Sequence, residues 1–164
     1  MGLIVQKYGG TSVGSVQKIQ AVADRVVRFR SEGHQVLVVL SAMSGETNRL
    51  LSMGREIGGE TVSRREMDVL AASGEQVSIA LLSMALQQRG LGARSFLANQ
   101  ISIRTDGAHG RARIEKIETE GIRQYLEDGI VPVVAGFQGV NEAGDITTLG
   151  RGGSDTSAVA LAAA

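Results

Sequence analysis

The sequence predicts an α/β fold: a three-layer αβα sandwich with helices on both faces of a mostly parallel central sheet. Three observations predict it. Residues 36–40 and 130–135 are apolar without alternation, which marks strands buried on both faces. Segments with apolar residues at helical spacing lie between such runs. The 22 glycines, against a single proline at position 132, gather where apolar runs end, where turns and ligand-approach loops belong.

The elements follow in order. Residues 3–7 read as a strand. Residues 15–30 carry Val16, Ile19, Val22, Val26 and Phe29 on one helical face, with Gly33 as the stop. After the strand 36–40, residues 47–57 and 63–70 read as helices parted by Gly58-Gly59. Ser63 with Glu66, and Ser73 with Gln76, have capping-box spacing. Residues 77–86 are apolar nearly all round, which predicts a buried helix. Residues 93–97, 101–104 and 113–117 read as strands, 119–128 as a short helix, and 130–135 as the second buried strand. Residues 145–148, after Asn141-Glu142-Ala143-Gly144, suggest a hairpin. Residues 156–164 form an alanine-rich helix with no C-terminal stop, from which the chain is expected to be a piece of a longer protein.

Composition excludes several classes of function. The 164 residues are enough for one domain with a real core. Lys and Arg total 17 against 17 Asp and Glu, and aromatics are 3%, so neither a basic nucleic-acid surface nor a base-stacking platform is expected. No uninterrupted apolar run approaches a membrane span, and no basic leader precedes the first apolar run. Cysteine is absent and the two histidines are well separated, so no metal site is expected; a cytoplasmic setting fits.

The chemistry is expected at the carboxyl ends of the parallel strands. After the first strand comes Lys7-Tyr8-Gly9-Gly10-Thr11-Ser12: a cation, then backbone stripped of side chains, then two hydroxyls. Such a stretch is either a tight strand-to-helix turn with a solvated lysine or an anion cradle. Only Lys7, Lys18 and Lys116 are lysines in this arginine-rich chain, which draws attention to Lys7. After the hairpin comes Gly150-Arg151-Gly152-Gly153-Ser154-Asp155, opening the last helix. Taken singly, Ser154 and Asp155 read equally as a helix cap and a first-turn acid, Glu75 and Thr47 as helix-start residues, and Phe137 as core. Two glycine loops converging on one polyanion would change that reading.

Together, Lys7–Ser12, the Val-Leu-Ser-Ala-Met segment ending at Met43 with Thr47 after it, Ser73-Gly74-Glu75-Gln76, Ala135-Gly136-Phe137-Gln138-Gly139 and Thr147 to Ser157 resemble the aspartate kinases of the amino acid kinase superfamily. The likeness covers all 164 residues in order. It implies phosphoryl transfer from ATP, with Mg²⁺, to the side-chain carboxylate of L-aspartate, the entry to lysine, methionine and threonine synthesis. By motif, Lys7 and Asp155 would be catalytic. Lys7, Gly9, Gly10, Thr11, Ser12, Gly152 and Gly153 would hold phosphate. Ser41, Thr47, Glu75, Phe137, Arg151, Ser154 and Asp155 would hold the amino acid, with Arg151 on its α-carboxylate and Glu75 and Asp155 on its ammonium group. The resemblance further implies that residues 1–164 are the amino-acid half of a kinase domain plus part of its phosphate site. Most nucleotide contacts and the regulatory ACT domains would follow, the fragment alone would be inactive, and the full-length protein would be a homodimer. A non-catalytic amino-acid or anion-binding module of the same fold, and a kinase for another acidic amino acid, are the alternatives.

Overall fold

The computed structural model describes residues 2–164. The elements run β1 (Leu3–Tyr8), α1 (Val16–Ser31), β2 (Gln35–Leu40), α2 (Glu46–Gly58), α3 (Arg64–Gln88), β3 (Ala93–Phe96), β4 (Ile103–Thr105), β5 (Ile114–Ile117), α4 (Glu120–Glu127), β6 (Val131–Ala135), β7 (Gln138–Val140), β8 (Ile146–Thr148) and α5 (Gly153–Ala163). The central sheet has the order β1-β2-β6-β3 and every pairing in it is parallel.

The two solidly apolar runs sit at the middle of that sheet, as β2 and β6. Alternate residues feed two cores. Val36, Val38, Leu40, Val131 and Val133 face α1 and α3, together with Ile19, Val26, Leu82 and Leu86. Leu37, Val39 and Val134 face the other way, against Ile122 and Leu126 of α4 and Ala158 and Leu161 of α5. The three-layer expectation is thereby met.

Local signals explain most of the helix ends. Ser15 caps α1, its hydroxyl accepting from the Lys18 amide at 3.2 Å, and Gly33 follows its end with φ 86°. Gly59, with φ 60°, separates α2 from α3.

The structure departs from expectation in α3 and in the sheet. Residues 63–70 and 77–86 belong to one 25-residue helix, α3. Ser73 is therefore mid-helix, its hydroxyl donating back to the Leu70 carbonyl at 2.7 Å rather than capping. Ser63 does precede the helix, but its side chain makes no capping bond. The second half of α3 is not buried all round, since Val77 and Met84 are exposed. By length and composition α3 is apolar enough to cross a membrane. It nevertheless packs between the sheet and α2 and buries Asp68 and Glu75 among its core residues.

A second sheet, β5-β4-β7-β8, is the other departure. Its β7–β8 pair is the expected hairpin, closed by Gly144 donating to the Asn141 carbonyl at 3.0 Å. Before β4 the chain turns at Ser102, which stands in the left-handed region at φ 49°. The short strands that follow carry buried polar residues: Thr105 and Thr147 share a hydrogen bond, and Gln138 donates to the Ala72 carbonyl of α3 at 3.2 Å.

Candidate functional site

A cleft of about 980 Å³ opens at the carboxyl ends of β1, β2 and β6. Its first wall is the turn after β1. The Ser12 and Val13 amides donate to the Gly9 and Gly10 carbonyls, and Ser44 donates to Gly10 at 3.1 Å. No carbonyl of the described residues takes up the Gly9, Gly10 or Thr11 amides. A Cβ at Gly10 would lie 2.8 Å from the Ala42 carbonyl oxygen, so only glycine lets the two strand ends approach this closely.

The facing wall is the loop entering α5, a helix whose N-terminus opens on Gly152 in the left-handed region. The Lys7 ammonium reaches the Asp155 carboxylate at 2.9 Å, so the two glycine-rich loops meet at one point. Phe137 lies between them, at φ 71°, a conformation that strains a residue with a Cβ by about 1 kcal/mol. It is held by its amide donating to the Ser157 hydroxyl at 3.1 Å and its carbonyl accepting from Leu149 at 2.9 Å. The Phe137 ring stands 2.9 Å from where a Cβ at Gly153 would be, which requires glycine there. Ser154 packs as tightly under Gly136.

The floor comes from α3. A Cβ at Gly74 would lie 2.8 Å from the Ala42 side chain, and this close approach brings Glu75 under the β2 exit loop. Glu75 is 2% exposed. One carboxylate oxygen accepts from the Ala42 amide at 3.0 Å; the other, Oε2, is buried without a partner. Burial pushes its carboxyl up to about 7, against the pull of the Ala42 amide. An acceptor left unmatched at the bottom of a cleft is the natural seat of a cationic group.

Of the expected residues, Lys7, Gly9, Gly10, Thr11, Ser41, Thr47, Glu75, Phe137, Arg151, Gly152, Gly153, Ser154 and Asp155 all line this cleft. Ser12 does not; its amide closes the turn and its side chain stands exposed outside. Asp155 meets Lys7 instead of standing free.

Asp68 is the residue that reading the sequence missed. It is 2% exposed and accepts from His109 Nδ1 at 2.7 Å, the Gly110 amide at 3.1 Å, and the Thr148 hydroxyl and amide at 2.6 and 3.2 Å. It ties α3 to β8 and to the loop before β5, thereby fixing the strand that delivers Arg151. The available signal was its spacing: Asp68 and Glu75 are two helical turns apart, on one face of α3. Asp68→Ala strands several buried donors and is expected to destabilise the chain by about 3 kcal/mol. Urea unfolding checks this; a loss below about 1 kcal/mol would show the network to be slack.

A sequence model of the amino acid kinase family matches residues 2–164. The chain is similar, at 59% identity, to an aspartate kinase of Pseudomonas fluorescens SBW25, the match covering 100% of this chain and 40% of that protein. Among solved structures it is similar to the aspartate kinase of Synechocystis, with TM-score 0.83 and 49% identity over 99% of this chain and 26% of that one. It also resembles E. coli aspartokinase III in complex with aspartate and ADP, with TM-score 0.83 and 26% identity over 98% of this chain and 46% of that one. The chain thus spans about 40% of the length of the curated relative it matches.

Proposed function

We propose, from the premise that this chain belongs to the amino acid kinase family, that its cleft is the amino-acid and phosphoryl site of an aspartate kinase. The reaction is transfer of the γ-phosphoryl group of ATP to the side-chain carboxylate of L-aspartate, giving 4-phospho-L-aspartate. One observation carries the reading: a lysine, an arginine with no ion pair among the described residues and a buried carboxylate with an unmatched oxygen line a single cleft between two glycine loops. A phosphate-only site has no use for Glu75.

The acceptor carboxylate is already a nucleophile, so no base is required and positioning with charge neutralisation does the work. Arg151 suits the α-carboxylate, which a guanidinium fork grips in bidentate fashion. Glu75 Oε2 receives the ammonium group. Ser41, Thr47 and Ser154 complete the hydrogen bonding, and Phe137 walls the amino acid. Lys7, held toward the cleft by Asp155, lies where charge builds on the phosphoryl oxygens, and the uncommitted Gly9, Gly10 and Thr11 amides fit the same oxyanions. Gly152 and Gly153 complete the facing wall of that phosphate pocket. When bound, ATP supplies the transferable phosphoryl group. Among the described residues no cluster of three His, Asp or Glu side chains is placed to hold a metal, so Mg²⁺ is assigned to the nucleotide.

Residues 1–164 are in this reading the amino-acid half of a longer kinase domain, acting in the cytoplasm as a homodimer, with most adenine and ribose contacts outside them. The test is a substrate panel on the full-length enzyme. L-Aspartate is expected to exceed L-glutamate in kcat/KM by about 100-fold or more, because the longer side chain misplaces the acceptor oxygen. Equal values would contradict the assignment of substrate.

A further inference from the structure

Four arginines of the cleft, Arg55, Arg64, Arg111 and Arg151, make no side-chain hydrogen bond or ion pair with any described residue. Outside the cleft Arg49, Arg65 and Arg89 reach carboxylates at 2.7 Å, whereas Arg25, Arg94 and Arg113 likewise form no ion pair with a described residue; what sets the four apart is that they line one cleft. The α-carboxylate of an amino acid accounts for Arg151 alone.

The other three gather at the far end of the cleft. Glu75 and Arg64 lie eleven residues apart on α3, about 16 Å at 1.5 Å per residue. Arg64 shares a helix face with Asp68, one turn on, yet Asp68 is already occupied by His109, Gly110 and Thr148. The Gly110 contact places Arg111 beside that first turn. Arg55 joins them because Gly54 sits flush on α3, a Cβ there falling 2.5 Å from Met67 Sδ. Arg151 is close as well, since a Cβ at Gly150 would lie 3.2 Å from the Gly110 carbonyl oxygen. Arg64 stands in the first turn of α3, where the helix dipole disfavours a cation, and Glu66, the acid of that turn, is engaged by Arg65. Converging unpaired guanidinium groups in a chain of zero net charge are a recognition surface for oxyanions.

We propose that this outer part of the cleft is a second binding site, distinct from the amino-acid position, for a small anion carrying two or more carboxylate or phosphate groups.

Calorimetric titration of citrate, and separately of pyrophosphate, tests it on three forms of the full-length protein: the parent, its Lys7→Met variant, and Lys7→Met with Arg55→Gln and Arg64→Gln added. Lys7→Met weakens the inner phosphate position, so saturable binding that survives it belongs to the outer site. At least one of the two anions is expected to bind Lys7→Met and to bind the triple variant about tenfold or more weakly. Citrate alone would mark a polycarboxylate ligand and pyrophosphate alone a phosphate ligand. The triple variant is expected to keep the L-aspartate affinity and urea midpoint of Lys7→Met. Should it fail to fold, Arg111→Gln in the Lys7→Met background gives the same readout. No saturable binding of either anion, or binding that the added substitutions leave unchanged, overturns the proposal. Loss of L-aspartate affinity with the fold intact overturns it too, because the arginines would then serve the inner site. Failure of L-aspartate to bind the full-length parent touches the kinase reading and leaves the anion result to stand by itself.

Discussion

Lys7→Met is expected to lower kcat of the full-length enzyme by about 10³-fold while leaving the fold in place. The two effects separate because of where Lys7 sits. Its partner Asp155 is 69% exposed at the side chain, and an ion pair so open to water contributes at most about 1 kcal/mol. In the proposed reaction the same ammonium would face charge that develops only in the transition state, where about 4 kcal/mol is an ordinary contribution for a preorganised donor. Methionine keeps the apolar stem and removes the charge alone. The check is steady-state kinetics beside a urea unfolding curve. Wild-type kcat in the variant would remove Lys7 from the chemistry, and an unfolded variant would make it a structural residue.

Glu75→Gln is expected to move stability and binding in opposite directions. The carboxyl is raised from its ordinary 4.5 to about 7, chiefly by burial. The folded chain therefore holds this proton more tightly than the unfolded chain does. Its contribution is complete below about pH 4.5 and is lost as pH rises through about 7. Above pH 8 a buried carboxylate with an unmatched oxygen remains, and the ligand-free chain is less stable than Glu75→Gln by about 3 kcal/mol. The glutamine variant flattens the pH profile between those limits. It also removes the negative charge proposed to receive the ammonium group, and L-aspartate affinity is expected to fall about 100-fold. A stabilised variant that no longer binds is the mark of a residue kept for function. Unfolding at pH 5 and pH 8, with and without L-aspartate, reads both halves. A variant less stable than wild type at pH 8, or one with unchanged affinity, would contradict this account.

Much of the fold was legible because its strongest signals are local or nearly so. The uninterrupted apolar runs of β2 and β6 place two strands at the middle of the central sheet, and Ser15 and Gly33 mark the ends of α1 to within a residue. The site was legible because glycine loops at strand exits carry their purpose in residue type. What stayed hidden depends on long-range placement. The second sheet exists because Thr105 and Thr147 find each other across 42 residues, sharing a hydrogen bond of 2.6 Å. The single helix α3 runs through Gly74 because that glycine meets Ala42, a contact no local pattern announces. Asp68 carries no local signal of its role, which comes from four donors of two other segments closing on it. Ser12 looked like its neighbour Thr11, and only the turn geometry sends one into the cleft and the other out.

The most direct test is a calorimetric titration of L-aspartate into the full-length protein at pH 8, beside Arg151→Ala and Lys7→Met. The account predicts one saturable site in the wild type, affinity about 100-fold weaker in Arg151→Ala, and affinity within about threefold of wild type in Lys7→Met. Absence of saturable binding, or equal affinity in Arg151→Ala, would contradict it.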